Sequence, residues 1–347
     1  MEVTSRYNSL APARRMVRAA RVALIIVVAL TLTACGSSAA GSGTPEHPVV
    51  RYIDNKALPM PAAAAVAKGF FAKTNVTVQM KELETGTSAM TAMIGGSADL
   101  VIAADGRLLQ AWAQGLPIVA IGIAQTGYPS YLAVPAGDHA TKSFADLFGK
   151  KIGTTVGSGQ YTGLIRYLQA ENIDPKSFQF VDIPDSNEAA ALGSGSVSAA
   201  VFPNPYAVGA EVQGISRNVI TPDKIAAPTG VTFPYLLLTT QQFIDKNPDA
   251  VQRFVNSWAC AKRYLDTNTT EAKSLLEKEL PGYDSKVITE ILANTSWKQQ
   301  VIDTAVQADI AADGNVLVEL GLIKSMPDLT KHINNTFANK ALEYVCN

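Results

Sequence analysis

The chain has 347 residues, 47% hydrophobic and 17% charged, with a formal net charge of −1. That length suggests about two domains, and that apolar fraction excludes a wholly disordered chain. Near-neutral charge argues against a nucleic-acid footprint, and three Cys without a CxxC spacing argue against a disulfide-dense miniprotein or a zinc ribbon.

Residues 1–34 read as an export signal rather than as part of the fold. Arg14, Arg15, Arg18 and Arg21 precede an apolar run over 22–32, shorter than the about 20 residues a membrane span needs. The run ends in Leu32-Thr33-Ala34-Cys35, which resembles the bacterial lipobox and so implies cleavage before Cys35 and lipid on that residue. The alternative is an ordinary secretory signal beside an unrelated cysteine. Arg14-Arg15 is half of a twin-arginine signal, so the export route stays open. Residues 35–46 form a Gly/Ser/Ala-rich tether. Without residues 1–34 the chain has 313 residues and 24 basic against 29 acidic groups, a net charge of −5. Cys260 and Cys346 are then either an extracytoplasmic disulfide or two buried thiols. As a bridge they would stabilise by about 4–5 kcal/mol in the chain-entropy model.

From residue 49 the pattern alternates. Strands are predicted over 49–53, 76–80, 100–103 and 118–123, with helices over 61–71, 88–94 and 108–113 between them. The rhythm restarts after residue 140. There the strands are 151–155, 178–183 and 199–202, and the helices 143–147, 162–171 and 188–192. From Pro248 onward the apolar spacing is helical. Such alternation predicts an α/β fold with mostly parallel sheets flanked by helices.

A weak repeat runs through it at an offset of 99. Ala92, Gly96, Ser97, Ala111, Gln114 and Gly115 match Ala191, Gly195, Ser196, Ala210, Gln213 and Gly214. Two similar lobes would each present strand ends to one cleft, where open α/β sheets bind ligands. The apolar stretches 131–134 and 233–238 are the candidate crossings between them.

Enzyme signatures are sparse. GxSxG, HExxH and GxxxxGK[ST] are absent, and His47, His139 and His332 lie far apart without metal-ligand spacing. Neither a metal nor a cofactor is implied. Residues 157–163 approach a dinucleotide fingerprint, with one residue too many before the third Gly. Their plain value is as backbone donors at a helix start. Ser158, Gly159, Gln160 and Tyr161 are therefore candidate ligand contacts. Thr85, Gly86 and Thr87 are candidates at another helix start, Asn55 at the end of the first strand, and Asp105 and Arg107 at the strand end of the first repeat unit. Asn204 and Tyr206 hold the equivalent place in the second unit. Tyr128, Tyr131 and Phe202 lie near these loops or the crossings.

Residues 47 to about 260 resemble the bacterial solute-binding proteins of the aliphatic sulfonate, taurine, nitrate and thiamin-pyrimidine-precursor (NMT1-like) group. The carrying segments are Lys68-Gly69-Phe70-Phe71, Gly95-Gly96-Ser97-Ala98-Asp99, Ser143 to Gly153, Gly157-Ser158-Gly159, Pro205-Tyr206 and Phe243 to Pro248. The resemblance implies a two-lobed, type II periplasmic-binding-protein fold with two crossover strands as its hinge. Residues 47–131 plus 236–347 would form lobe 1, and 132–235 lobe 2. It further implies a monomeric, lipid-anchored substrate-binding lipoprotein of the cell envelope. Such a protein, not an enzyme, captures a small organic solute and delivers it to an ABC permease and its ATPase. Sulfonate-type members carry Thr-Gly-Glu/Asp where this chain has Ala103-Ala104-Asp105, and Trp-Asp-Pro-Tyr where it has Pro203-Asn204-Pro205-Tyr206. A hydroxyl and an acid are missing and Arg107 is added, which argues against a small sulfonate without naming a replacement; the solute is either sulfonate-like or, fitting the nearby aromatics better, aromatic or heterocyclic, such as a pyrimidine precursor. Two other readings compete. An exported enzyme acting on a small ester or pyrimidine precursor would use Tyr161, Ser158 and Asp105, and a surface adhesin would need no cleft.

Overall fold

The computed structural model describes residues 44, 46–55 and 60–346. The expected export signal, the lipobox Cys35 and most of the tether lie outside the described residues. Among the described residues, no helix is long and apolar enough to cross a membrane.

The chain begins with β1 (Val49–Asn55), α1 (Met60–Ala67), α2 (Phe70–Lys73), β2 (Thr77–Leu83), α3 (Gly86–Ile94), β3 (Leu100–Ala104), α4 (Asp105–Ala113) and β4 (Ile118–Gln125). It continues through β5 (Ser130–Pro135), β6 (Lys151–Thr154), α5 (Gly159–Ala170), β7 (Gln179–Asp182), α6 (Glu188–Gly193), β8 (Ala199–Pro203), α7 (Tyr206–Val212), β9 (Ser216–Ile220) and α8 (Pro222–Ala226). It ends with β10 (Tyr235–Thr240), α9 (Gln241–Lys246), α10 (Pro248–Thr267), α11 (Thr269–Glu279), α12 (Ser285–Asn294), α13 (Thr304–Glu319) and α14 (Thr336–Leu342). Residues 61–71 do not form one helix, because the chain turns at Gly69 between α1 and α2. β9 and α8 carry too little apolar periodicity to be read from sequence: β9 is the edge strand Ser-Arg-Asn-Val-Ile, and α8 is only five residues long.

Two five-stranded sheets result, in the orders β2-β1-β3-β10-β4 and β7-β6-β8-β5-β9. They share one plan. In the first, β3 pairs parallel with β1 and antiparallel with β10; in the second, β8 pairs parallel with β6 and antiparallel with β5. Each sheet thus receives its fourth strand from just beyond a crossing. β5 opens the second lobe, and β10 returns the chain to the first. Central strands are apolar throughout, as in β4 (Ile-Val-Ala-Ile-Gly-Ile-Ala-Gln), which is buried at every position. Edge strand β2 (Thr-Val-Gln-Met-Lys-Glu-Leu) instead alternates exposed and half-buried residues over its first five positions and puts Lys81 and Glu82 on its surface.

The offset-99 repeat falls on matching elements, α3-β3-α4 in one lobe and α6-β8-α7 in the other. Ser97 N donates to Ala92 O at 2.8 Å, and Ser196 N to Ala191 O at 3.1 Å. Gly96 and Gly195 have φ of 76° and 71°, which explains glycine at both turns.

The helical tail ties the lobes together. α10 starts with Pro248 at its first turn and packs against α1 and α14. Its Phe254 ring lies 5.1 Å from Tyr52 of β1 and 5.7 Å from Trp258. Truncating Phe254 to Ala in so filled a core costs about 3–5 kcal/mol. Cys260 on α10 is bonded to Cys346 across a separation of 86 residues, with Cα atoms 5.6 Å apart. α12 packs on α7, and α13 packs against both α4 and α5, so residues 285–319 touch both lobes.

Candidate functional site

A cleft of about 360 Å³ lies where the carboxyl ends of the two sheets face each other. The first lobe supplies Asn55 from the end of β1, Glu84-Thr85-Gly86-Thr87 from the β2–α3 turn, and Ala104 and Arg107 around the start of α4. The second supplies Thr155, Ser158, Gly159 and Gln160 before and within the first turn of α5, Asp182 from β7, Asp185 and Ser186 beyond it, and Tyr206 from α7. Tyr235, the first residue of β10, stands at the junction.

Local sequence explains each of these loops. Thr85 caps α3, its hydroxyl accepting from Ser88 N at 3.1 Å. Gly86 fits because a Cβ there would lie 2.7 Å from the Cβ of Ala103. Ser158 caps α5, accepting from Tyr161 N at 3.2 Å while its hydroxyl donates to Thr155 O at 2.6 Å. Val156 N donates to Asp182 Oδ1 at 2.9 Å, which fixes the strand end before the cap.

The lobes meet around the cleft through specific contacts. Arg107 donates to Val156 O at 2.8 Å, and Gln110 Nε2 to Gly157 O at 2.6 Å. Tyr206 OH donates to Glu84 Oε2 at 3.2 Å across the cleft. The backbones approach closely where α4 meets α5: a Cβ on Gly106 would lie 2.6 Å from Gly159 N.

Asp182 and Asp185 put two carboxyls on the second-lobe wall. Burial raises the Asp185 carboxyl, while the Thr155 hydroxyl, the Gln160 amide and the neighbouring Arg107 act to lower it. Gln160 Nε2 donates to both of its oxygens, at 2.8 and 3.0 Å. Behind this wall Glu188 is fully buried, with no hydrogen-bond partner on either oxygen, and burial with Asp185 and Asp182 pushes its carboxyl up to about 9. Burial, and then Glu84, raises the Tyr206 phenol; burial, and then Asp185, raises that of Tyr235.

Nine of the twelve expected ligand contacts line this cleft: Asn55, Thr85, Gly86, Thr87, Arg107, Ser158, Gly159, Gln160 and Tyr206. Three do not. Asp105 is the first residue of α4 and points into the protein, beside Asp313 of α13, where burial raises its carboxyl strongly. In the same cluster Arg166 of α5 pairs with Asp309 at 2.7 Å and Asp313 at 2.9 Å. Tyr161 turns away onto Phe180, with ring centroids 5.4 Å apart, and packs with Ile165 and Val316. Asn204 is buried and its amide donates to Val287 O at 3.1 Å, anchoring α12. The neighbouring aromatics are structural too. Tyr128 donates to Gln160 O, Tyr131 to Glu290, and Phe202 is fully buried.

Glu84, Thr155, Asp182, Asp185, Ser186 and Tyr235 line the cleft too and are not among the expected contacts. Asp182 lies in the strand predicted over 178–183 and is the last residue of β7, so the strand-end rule applied to β3 and β8 would have found it there. Tyr235 carried no signal, since it sits within a run read only as a crossing. Among the described residues, no group of His, Cys, Asp and Glu is placed to hold a metal.

Known proteins share this architecture. A protein of Bacillus subtilis (strain 168), named provisionally as an aliphatic sulfonates-binding protein, is 21% identical over 92% of this chain and 96% of its own. The alkanesulfonate-binding protein SsuA from Xanthomonas axonopodis pv. citri, solved bound to MOPS, superposes with a TM-score of 0.72 at 19% identity, covering 83% of this chain and 98% of that one. The desulfurization enzyme DSZB superposes at 0.62 and 16% identity, covering 84% and 99%. At these identities the structures show a common fold, the two-lobed periplasmic-binding-protein architecture. The family model described as NMT1/THI5 like matches residues 59–272, and the chain belongs to that family.

Proposed function

We propose that this chain is the extracytoplasmic solute-capture component of an ABC importer, held at the membrane through a lipid on Cys35. The observation that carries the reading is one cleft lined from both lobes by strand-end and helix-start residues. A solute bound there touches both lobes, so binding favours the closed arrangement, which is the form a permease would recognise. Relatives named as sulfonate-binding and solved as import components support the same reading.

The enzyme alternative has weaker support. Of its three candidate polar groups, Tyr161 and Asp105 lie outside the cleft, and the Ser158 hydroxyl is engaged in capping α5. Neither group bonded to the Ser158 hydroxyl, Thr155 O or Tyr161 N, is a general base, and nucleophilic catalysis at serine needs one. Capture is tested by titrating a panel of small organic solutes into the full chain in detergent and following its melting temperature. A ligand that raises it and is recovered unchanged supports capture. Conversion of that ligand to product, or no rise with any solute, refutes it.

A further inference from the structure

Behind the cleft, one buried cluster joins both lobes to the helical tail. Asp309 and Asp313 of α13 pair with Arg166 of α5, at 2.7 and 2.9 Å. Asp309 Oδ2 also accepts from the Thr232 N–H at 2.8 Å and the Thr232 hydroxyl at 2.6 Å. These contacts bind α13 to the second lobe. The first lobe enters through Asp105 at the start of α4, which is fully buried. Neither oxygen of Asp105, nor Oδ2 of Asp313, receives a well-formed hydrogen bond. Ionised carboxylates only accept, and buried acceptors without donors are costly. A proton on Asp105 removes the conflict, because it makes Asp105 a donor to Asp313, which lies within its reach.

The surroundings place that proton on Asp105. Burial, then Asp313 and Asp309, raise its carboxyl strongly against the opposing Gly106 N–H. Burial raises Asp313 as well, but there Arg166 opposes it. The other titratable groups on the packed elements face elsewhere. Arg107 of α4 is turned to Val156 O, Tyr161 of α5 packs on Phe180, and Glu319 of α13 accepts from Gln169. α3 and β3, which pack on α4, carry no titratable residue. Burial, and then Asp313, raises the Tyr128 phenol; burial, and then Asp185, raises that of Tyr235, on which Asp105 also acts, so both stay neutral. The joint borders the cleft directly: a Cβ on the lining residue Gly159 would lie 2.8 Å from Asp105 Oδ1.

We propose that Asp105 and Asp313 share one proton, and that it clasps the first lobe to α13, and through Arg166 to the second lobe, where the lobes meet behind the cleft. Losing it sets two carboxylates against each other at the joint, and α4 then parts from α13 and the start of α5 to let water reach them. The joined pair keeps its proton above the ordinary carboxylate range, whereas the parted, hydrated pair releases it within that range. The clasp is therefore complete at low pH and is lost as pH rises through the raised value. The consequence for binding rests on the capture reading: a solute whose capture closes the lobes loses up to about tenfold in affinity per pH unit over that interval.

The test follows amide hydrogen exchange over 105–113 and 159–170 in the full chain in detergent, at pH 5 and pH 9. Asp105→Asn is the reference at each pH, because its amide donates to Asp313 without titrating. The expected result is equal protection at pH 5, and exchange about tenfold or more faster in the parent at pH 9. Asp313→Asn should resemble Asp105→Asn, since its amide donates to an ionised Asp105, and it carries the test if Asp105→Asn loses its circular dichroism spectrum. Glu188→Gln should keep the parent's response. Infrared spectra at neutral pH should show protonated-carboxyl absorption that Asp105→Asn reduces. Equal exchange in the parent and both Asn variants at pH 9, a response abolished by Glu188→Gln, or absorption unchanged by Asp105→Asn overturns the proposal. Each of these leaves the capture reading standing, which falls only if no solute raises the melting temperature.

Discussion

The two lobes share a strand plan but use it differently. Positions related by the repeat superimpose element on element, yet the loops that follow β3 and β8 serve the interior more than the cleft. In the first lobe α4 starts directly on Asp105, which buries its carboxylate beside Asp313. In the second, Asn204 and Pro205 intervene before α7, and Asn204 is spent on α12. The cleft is supplied instead by the flanking units, the β2–α3 turn in one lobe and the β6–α5 turn with the end of β7 in the other. A repeat therefore identifies scaffold, and the binding groups sit where the copies have diverged.

The lobes differ most consequentially at Gly106, whose repeat partner is Pro205. A Cβ at 106 meets the backbone of Gly159 and Ser158 at 2.6–2.7 Å, between lobes, where neither side yields cheaply. Gly106→Ala should wedge the lobes apart and lower ligand affinity by tenfold or more, about 1.4 kcal/mol. Small-angle scattering should show a larger radius, and an unchanged radius with unchanged affinity would refute the contact.

The next effect, on stability, belongs to one lobe only. The Cys260–Cys346 bond has no counterpart in lobe 2. Cys260→Ser with Cys346→Ser should cost about 2–4 kcal/mol in denaturant unfolding, and reductant should destabilise the parent but not the variant.

A smaller difference is set by pH. The repeat pairs Ala89, buried in the first lobe, with Glu188, buried in the second. Because the folded state holds the Glu188 proton up to about 9 while the unfolded chain releases it in the ordinary carboxylate range, folding binds more protons over that interval. Stability from this group is full below the unfolded value and is lost as pH rises toward about 9. Glu188→Gln should flatten that decline in melting temperature between pH 5 and pH 9, and an unaltered slope would count against it.

The smallest effect tests the likeness of the lobes. Gly96 and Gly195 have φ of 76° and 71°, and nothing lies within 4 Å of a Cβ at either. Gly96→Ala and Gly195→Ala should therefore each cost about 1 kcal/mol, purely as backbone strain, and by similar amounts. A clear inequality would show that the turns are not equivalent.

Much of this architecture was legible in the chain. Apolar strands such as β3 and β4, buried at nearly every position, stand out as runs between Gly-containing turns, and the repeat exposes the matched lobes. Nine cleft residues followed from asking which loops start helices or end strands. The three expected contacts that lie outside the cleft share a cause: residue type does not say which way a side chain faces. Asp105, Tyr161 and Asn204 sit on the right loops but point inward, to Asp313, Phe180 and the α12 backbone. Asp182, Asp185 and Glu84 look like ordinary surface acids until the fold brings them together across 100 residues of sequence. Edge strand β9 lacks apolar alternation because its three middle residues, Arg217, Asn218 and Val219, are all only half-buried.

Capture between the lobes is read out by native mass spectrometry of the full chain released from detergent. After incubation with a mixed pool of small organic solutes, one solute should be retained per chain and recovered with unchanged mass. The signal should be lost in a Tyr206→Ala variant that keeps its circular dichroism spectrum. No retained solute, or a retained species whose mass differs from every solute supplied, would contradict it.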